Sequence, residues 1–584
     1  MHAVVHHRAP PPRRCSRGHR CSSVVVRAAA ATVTGAAATA PDSPSAAFWD
    51  YNLLFRSQRA ESRDPVALRV TEGAIPPDFP AGTYYLAGPG MFADDHGSTV
   101  HPLDGHGYLR SFRFGGADGG GAATAHYSAR YVETAAKREE HEDAGGPSSW
   151  RFTHRGPFSV LQGGNRVGNV KVMKNVANTS VLRWGGRVLC LWEGGEPYEL
   201  DPRTLETIGP FDILGRVGGG AGTDEAARDD DSCEAARHGR RRRPWLQEAG
   251  IDVAARLLRP VLSGVFRMPA KRLLAHYKID QERNRLLMVA CNAEDMLLPR
   301  SNFTFYEFDA DFALVQTREF VVPDHLMIHD WTFTDSHYVL LGNRIRLDIP
   351  VACGVWAGSL LALTGTHPMI AALAVDPSRQ STPVYLLPRS PEAEAEATGR
   401  DWSVPIEAPT QMWSMHVGNA FEERNARGGI NIQLHMSGCS YQWFNFHRMF
   451  GYNWQNKKLD PSFMNIAKGR EWLPRLVQVS IDLDKRGACR GCSVRRLSDQ
   501  WTRPADFPAI NPGFANRRNR FIYAGGASGS RRFLPYFPFD SVVKVDVSDG
   551  SARSWSAAGR KFVGEPVFVP TGSCEDDGYV LLVE

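Results

Sequence analysis

Apolar and polar residues alternate over short runs along most of this chain of 584 residues, and Gly, Pro, Asn and Asp separate the runs. A period of two with turn residues at the breaks predicts half-buried strands joined by tight turns. Residues 169–207, NVKVMKNVANTSVLRWGGRVLCLWEGGEPYELDPRTLET, read as strand, Gly-Gly turn, strand, turn, strand, a meander of the kind that builds one propeller blade. Earlier, VTEGAIPPDFPAGTYYLAGPG gives an opening strand. Later, PVYLLPR, NIQLHMSGCSYQWF, LPRLVQVSIDLD, RFIYAGGA, SVVKVDVSDGSARSW and VFVPTGSCEDDGYVLLV continue the same spacing to the end. The expectation is an all-β fold.

Four stretches break the rhythm. SAAFWDYNLLFRSQRAE, from about residue 45, is a helical or extended lead. Residues 115–121 and 137–148 are rich in Gly and charge and predict exposed loops. Residues 215–244 combine an acidic block with four consecutive arginines and predict a disordered insertion. After it, Ile251, Ala254, Ala255, Leu258 and Leu262 recur at helical spacing, with Pro260 set to kink the helix. That helix and the apolar residues 358–373 are either packed core or an apolar lip dipping into a membrane. Within RLDIPVACGVWAGSLLAL, residues 351–357 read as an inserted segment.

Composition narrows the function. A net charge of +5, with the local Arg excess in two low-complexity stretches, gives no basic surface interleaved with aromatics, so nucleic acid is not an expected partner. Ten irregularly spaced cysteines make no disulfide framework. Cys489 and Cys492 form a lone CxxC without a second pair, which predicts a surface turn rather than a zinc site. No uninterrupted apolar run is long enough for a membrane-spanning helix. Residues 1–41 hold six Arg and no acidic residue, an organellar leader in composition. The division expected is a leader over residues 1–47 and one domain over 48–584.

Candidate chemistry lies in three histidines: His276 in KRLLAHYKID, His329 in VVPDHLMIHDWTF and His416 in MWSMHVGNAFEE. Each sits in a β-type run beside a polar residue able to orient it. A single such histidine is ordinarily packed core, but three from distant strands are what a metal centre assembled from separate sheets needs. The runs AHYKID, MIHDW, HVGNAFEE, WEGGEPYELDPRTLET and GEPVFVP resemble the carotenoid cleavage dioxygenases, and the resemblance extends from about Thr71 to the end.

That resemblance implies a seven-bladed β-propeller with a helical and loop cap over an iron face. It implies iron(II), Fe(2+), held by four neutral imidazoles, of which His276, His329 and His416 are three. Molecular oxygen is then a co-substrate whose two atoms end in two carbonyl products, so no organic cofactor is needed. Carboxylates accept the other ring N–H of the ligands: Glu193, Glu565 and, where relatives carry Glu, the shorter Asp506. Thr179 matches a residue facing the open side of the iron. His101 and His106 match no ligand position and are read as packed side chains. The leader becomes a plastid transit peptide, and peripheral association with a membrane surface follows from a carotenoid substrate.

The fourth imidazole is expected several tens of residues beyond GEPVFVP, yet no His follows His447. The chain as written is therefore expected to lack a ligand and to leave its last blade incomplete. This leaves two readings open, an enzyme from a longer chain or a non-catalytic carotenoid-binding propeller. FWDYNLLFRSQ, HGYLRSFRF and YQWFNFHRMFGYNWQNKKLDPSFMN most resemble the family member that acts first on carotene in strigolactone biosynthesis. They imply cleavage of 9-cis-β-carotene at the 9′,10′ double bond to 9-cis-β-apo-10′-carotenal and β-ionone.

Overall fold

Most strands pair antiparallel with the next strand of their own sheet, so the sheets are largely local, although Ser62–Ala67 pairs with the more distant Thr124–Tyr131. The computed structural model describes residues 28–29, 43–115, 124–142, 144, 149–154, 156–160, 174–215, 245–264, 268–347, 366–376, 379–445, 448–466, 473–556 and 559–584. The expectations for most of the leader, for residues 216–244 and for residues 351–357 lie outside these.

Seven sheets follow in chain order as the blades of a β-propeller. Blade 1 orders its strands Ser62–Ala67, Thr124–Tyr131, His106–Gly115 and Gly82–Met91. From blade 2 onward the first strand in sequence lies at one edge of its sheet. These edge strands begin at Ser180 in blade 2, Lys271 in blade 3, Thr332 in blade 4, Trp413 in blade 5, Ala505 in blade 6 and Val567 in blade 7. Blade 7 pairs Val567–Pro570 with Gly578–Leu581. The Gly-Gly turn of blade 2 is Gly185–Gly186, with φ of +50° and +78°, and a Cβ at Gly185 would lie 2.3 Å from the Ala310 carbonyl oxygen, so only glycine fits.

Apolar residues from neighbouring blades share clusters, which is what holds the ring. Leu182 and Leu189 of blade 2 pack with Met288 and Phe308 of blade 3. Phe305 of blade 3 stacks on Tyr338 of blade 4, with ring centroids 4.1 Å apart. Tyr523 of blade 6 stacks on Phe568 of blade 7, and Tyr579 of blade 7 meets Phe79, which lies between Ser62–Ala67 and Gly82–Met91 of blade 1, and donates to Asp78. The expected lead is helix α1, Pro44–Leu54, capped by Ser43 and seated through Tyr51. The helix predicted after the insertion is present over Trp245–Gly264, with Pro260 inside it. Its Ile251 and Ala255 pack on Leu298, while Val253 and Leu257 stay exposed. Among the described residues no helix is long and apolar enough to cross a membrane.

Two local expectations are corrected. The stretch 137–148 is not all exposed loop, because Ala135–Glu142 is helix α2 with Ala136, Lys137 and Glu140 buried. Its charge is tolerated inside because it is matched. Glu140 accepts from His106 Nε2 at 2.6 Å and from two backbone N–H groups, with Lys174 Nζ 3.7 Å away. The CxxC is likewise no turn: Cys489 begins the outer strand Cys489–Arg496 of blade 5, and Cys492 packs against the blade's core.

His101 and His106 are packed side chains. His101 accepts from Leu103 N at Nδ1 and donates from Nε2 to Met449 O. Burial holds His101 down at about 3, and burial with the nearby Lys174 holds His106 down at about 4. Glu140 lies at about 2, because Lys174 and His106 outweigh its burial. The unfolded imidazole titrates near 6.5 and the unfolded carboxyl near 4.5. As pH falls below 6.5 the unfolded chain therefore takes up protons that the buried His106 refuses, and below 4.5 the same holds for Glu140. The melting temperature should fall steadily from pH 7 to pH 4, and His106→Gln should flatten the upper half of that slope. A slope unchanged in the variant would contradict the assignment.

Candidate metal centre

Thr179, His276, His329, His416, Asp506 and Glu565 lie at or near the starts of the edge strands that begin blades 2 to 7, while Glu193 follows the second strand of blade 2, Arg187–Leu191. His276 stands between Lys271–Leu273 and Lys278–Asp280 of blade 3. His329 lies three residues before Thr332–Phe333 of blade 4, and His416 lies within Trp413–Arg424 of blade 5 at a register shift between Ser414 and Val417. Their Nε2 atoms meet, with His276 to His329 at 3.1 Å and His329 to His416 at 3.4 Å. The ligand atoms of the three lie within 4.8 Å of one another, the one such group of His, Cys, Asp or Glu among the described residues.

The other ring nitrogens decide what these contacts mean. His329 Nδ1 lies 2.6 Å from Glu193 Oε1, and His416 Nδ1 lies 2.9 Å from Asp506 Oδ1. A carboxylate only accepts, so both Nδ1 atoms carry hydrogen and, in the neutral rings, both Nε2 atoms present lone pairs to each other. Facing lone pairs repel, whereas a cation between them removes the conflict. Two nitrogens bound at roughly 2.1 Å and at a right angle to one ion would stand roughly 3 Å apart, close to the spacing here. The three imidazoles therefore fit a divalent metal. Burial alone would lower His329, but the Glu193 carboxylate more than offsets it, so its pKa is raised.

Asp506 reaches His416 although it is a methylene shorter than Glu. Pairing in blade 6 shifts between Asp506 and Ala509, and this bulge carries the carboxylate to the imidazole. Thr179, just ahead of the blade 2 edge strand, donates its hydroxyl to Asn178 Oδ1 at 3.2 Å. Glu565, just ahead of blade 7, is half-buried. After burial itself, its charge is the main influence raising the Tyr84 and Tyr277 phenols. His435 lies on the second strand of blade 5 with Nδ1 on Asn519, and His447 lies outside the described residues.

Asp330 was missed as a functional residue, although it follows His329 directly. Its Oδ2 accepts from Val417 N, next to His416, at 2.7 Å. Its Oδ1 accepts from Trp331 N at 2.8 Å and Lys278 Nζ at 2.8 Å and lies 3.9 Å from His276 Nδ1. Trp331 Nε1 in turn donates to the His276 carbonyl at 2.7 Å. One buried carboxylate thus ties together the chain segments of all three histidines. The signal in sequence was an Asp directly after a histidine in an apolar run.

His276 and His416 are 1% and 6% exposed, but the His329 side chain is 22% exposed and Glu193 28%, so the centre opens on that side. A separate cavity of about 970 Å³ lies between blades 1, 6 and 7, lined by Tyr84, Phe112, Tyr523, Phe568 and Tyr579. None of the three histidines lines it, so it is distinct from the centre.

The profile of the retinal pigment epithelial membrane protein (RPE65) family matches residues 55–584. A rice (Oryza sativa subsp. japonica) protein named carotenoid cleavage dioxygenase 7, chloroplastic, is 77% identical over 100% of this chain and 91% of its own length. The chain belongs to the carotenoid cleavage dioxygenases. The Arabidopsis thaliana protein of the same name is 52% identical over 93% of this chain and 84% of its own length. Both names carry the plastid location, and the location expected from the leader is the same: this is a plastid protein. The crystal structure of the cobalt-substituted Synechocystis ACO superimposes with a TM-score of 0.64 at 23% identity, over 91% of this chain and 89% of that one, and supports the propeller fold.

Changing Glu193 to Gln keeps the size but not the charge on His329 Nδ1. Metal affinity should fall about 10–100-fold, the usual scale for losing a partner that orients a ligand. Glu392→Gln, on an exposed helix start, should leave it unchanged. Competition with a chelator measures both, and equal effects would remove the case for Glu193.

Proposed function

We propose that this carotenoid cleavage dioxygenase binds iron(II) at His276, His329 and His416 and cleaves 9-cis-β-carotene at the 9′,10′ double bond. The products are 9-cis-β-apo-10′-carotenal and β-ionone, formed at an early step toward strigolactones. The observation that carries the metal assignment is the convergence of three Nε2 atoms, two of them on rings whose Nδ1–H is held by a carboxylate. Identity to the rice and Arabidopsis proteins named carotenoid cleavage dioxygenase 7 supports carotenoid cleavage, and the isomer and bond follow from the resemblance of FWDYNLLFRSQ, HGYLRSFRF and YQWFNFHRMFGYNWQNKKLDPSFMN.

When bound, the metal supplies a site where dioxygen is activated beside the alkene. One C=C bond breaks, two C=O bonds form, and both oxygen atoms are retained, so no reductant is consumed. The residues of this chain do the holding. Glu193 and Asp506 fix ring tautomer and orientation, Asp330 fixes the segments, and the buried rims of blades 3 and 5 keep water from His276 and His416. Glu565 is assigned as a third orienting carboxylate, and Thr179 as the side chain that limits the open side. The carotenoid reaches the protein from a membrane surface. The exposed Val253 and Leu257 of the helix Trp245–Gly264, with Phe48, Trp49 and Leu53 of α1, support peripheral contact there.

The test is to load the protein with Fe(II) without air, add 9-cis-β-carotene in micelles, admit oxygen and follow both products by chromatography. Equal amounts of the apocarotenal and β-ionone are expected. Products from another double bond would keep the enzyme class and overturn the bond assignment. Carotene bound but left whole would make the chain a carotenoid-binding propeller.

A further inference from the structure

We propose that Phe507 is the positioning residue of His416: its ring forms the wall that keeps this imidazole turned toward Asp506. The proposal rests on the reading of His416 as a metal ligand.

Phe507 follows Asp506 and has φ of +58°, left-handed backbone that an aromatic residue adopts only where its surroundings impose it. Two features impose it here. Asp506 Oδ1 accepts from Phe507 N at 2.7 Å while also serving His416 Nδ1, so the bend locks the carboxylate in place. Pro508 is pressed against the His416 strand as well, since a Cβ on Gly418 would stand 2.9 Å from Pro508 Cβ. The bulge therefore has no slack through which to relax.

The bend aims the ring. Phe507 lies 4.8 Å from the His416 ring, centroid to centroid, at 34°, and meets Phe539 edge-on at 6.1 Å. Phe539 packs with Val563, Trp555 and Leu582, so the wall is backed by blades 6 and 7. With Asp506 held at its Nδ1 edge and the Phe507 ring tilted beside it, His416 is restrained from turning away. A strained backbone that placed nothing would be replaced at no loss by a relaxed one. Here it places an aromatic face against a candidate ligand.

Cobalt(II) is a suitable probe, since its visible spectrum follows ligand geometry and it dissociates without turnover. Phe507→Leu keeps much of the bulk and the bend but loses the flat ring. It should speed cobalt release to a chelator about 10-fold and shift the visible bands. Phe507→Tyr should stay within about twofold of the parent. Val545→Ala, in the separate apolar cluster of blade 6 that holds neither Phe507 nor Phe539, should lower the melting temperature with cobalt release unchanged. If Phe507→Leu and Val545→Ala changed release and spectrum alike, Phe507 would be ordinary packing and the proposal would fall. If His416→Ala itself left cobalt release unchanged, the ligand assignment would be at fault instead.

Discussion

His329→Ala is expected to give a folded protein that retains no metal after dialysis and cleaves no carotene. His329 is the middle member of the group, with its Nε2 3.1 Å from one neighbour and 3.4 Å from the other. Its loss leaves two donors on one side of the site and an unpaired Glu193 on the other. The side chain is half-buried and stands ahead of a short strand, so its removal opens little core. Metal analysis and circular dichroism on one sample separate the two effects. Near-normal turnover or a full complement of metal would show that His329 is not a ligand. His276→Ala and His416→Ala should lose metal as completely, with more loss of stability because both are buried.

Asp330→Ala should be the more damaging change to the protein as a whole. The carboxylate is fully buried and serves Val417 N, Trp331 N and Lys278 Nζ. Removing it leaves Lys278, only 17% exposed, without this partner and two backbone donors unsatisfied. Breaking a buried pair from one side costs about 3–5 kcal/mol, and here the loss falls where the three histidine-bearing segments meet. A large drop in melting temperature together with loss of metal is expected. Asp330→Asn, which keeps the shape and one acceptor, should fall between the parent and the alanine variant. A variant with the parent's melting temperature and metal content would contradict the role given to Asp330.

The strands were legible because most pair with the next strand of their own sheet, so alternation within a run already implied its sheet; the exception is Ser62–Ala67, which pairs with the distant Thr124–Tyr131. The three histidines were legible for the same reason: each lies in an apolar run with a polar residue beside it. What sequence could not carry was the backbone between. The reach of Asp506 depends on a bulge at Phe507 that no residue type announces, since an aromatic at positive φ runs against preference. Asp330 stood in plain view in MIHDW, but its work is done on Val417 and Lys278, which lie far from it in sequence. Charge misled at Ala135–Glu142, where a run read as solvent-facing is paired with His106 and Lys174 inside the protein.

The iron K-edge absorption spectrum of the protein, loaded with one equivalent of Fe(II) without oxygen, bears most directly on the metal centre. Nitrogen neighbours with the outer-shell scattering of at least three imidazoles are predicted, with one imidazole fewer in whatever iron His416→Ala retains. A spectrum dominated by carboxylate or sulfur neighbours, or one unchanged by that substitution, would contradict iron held by His276, His329 and His416.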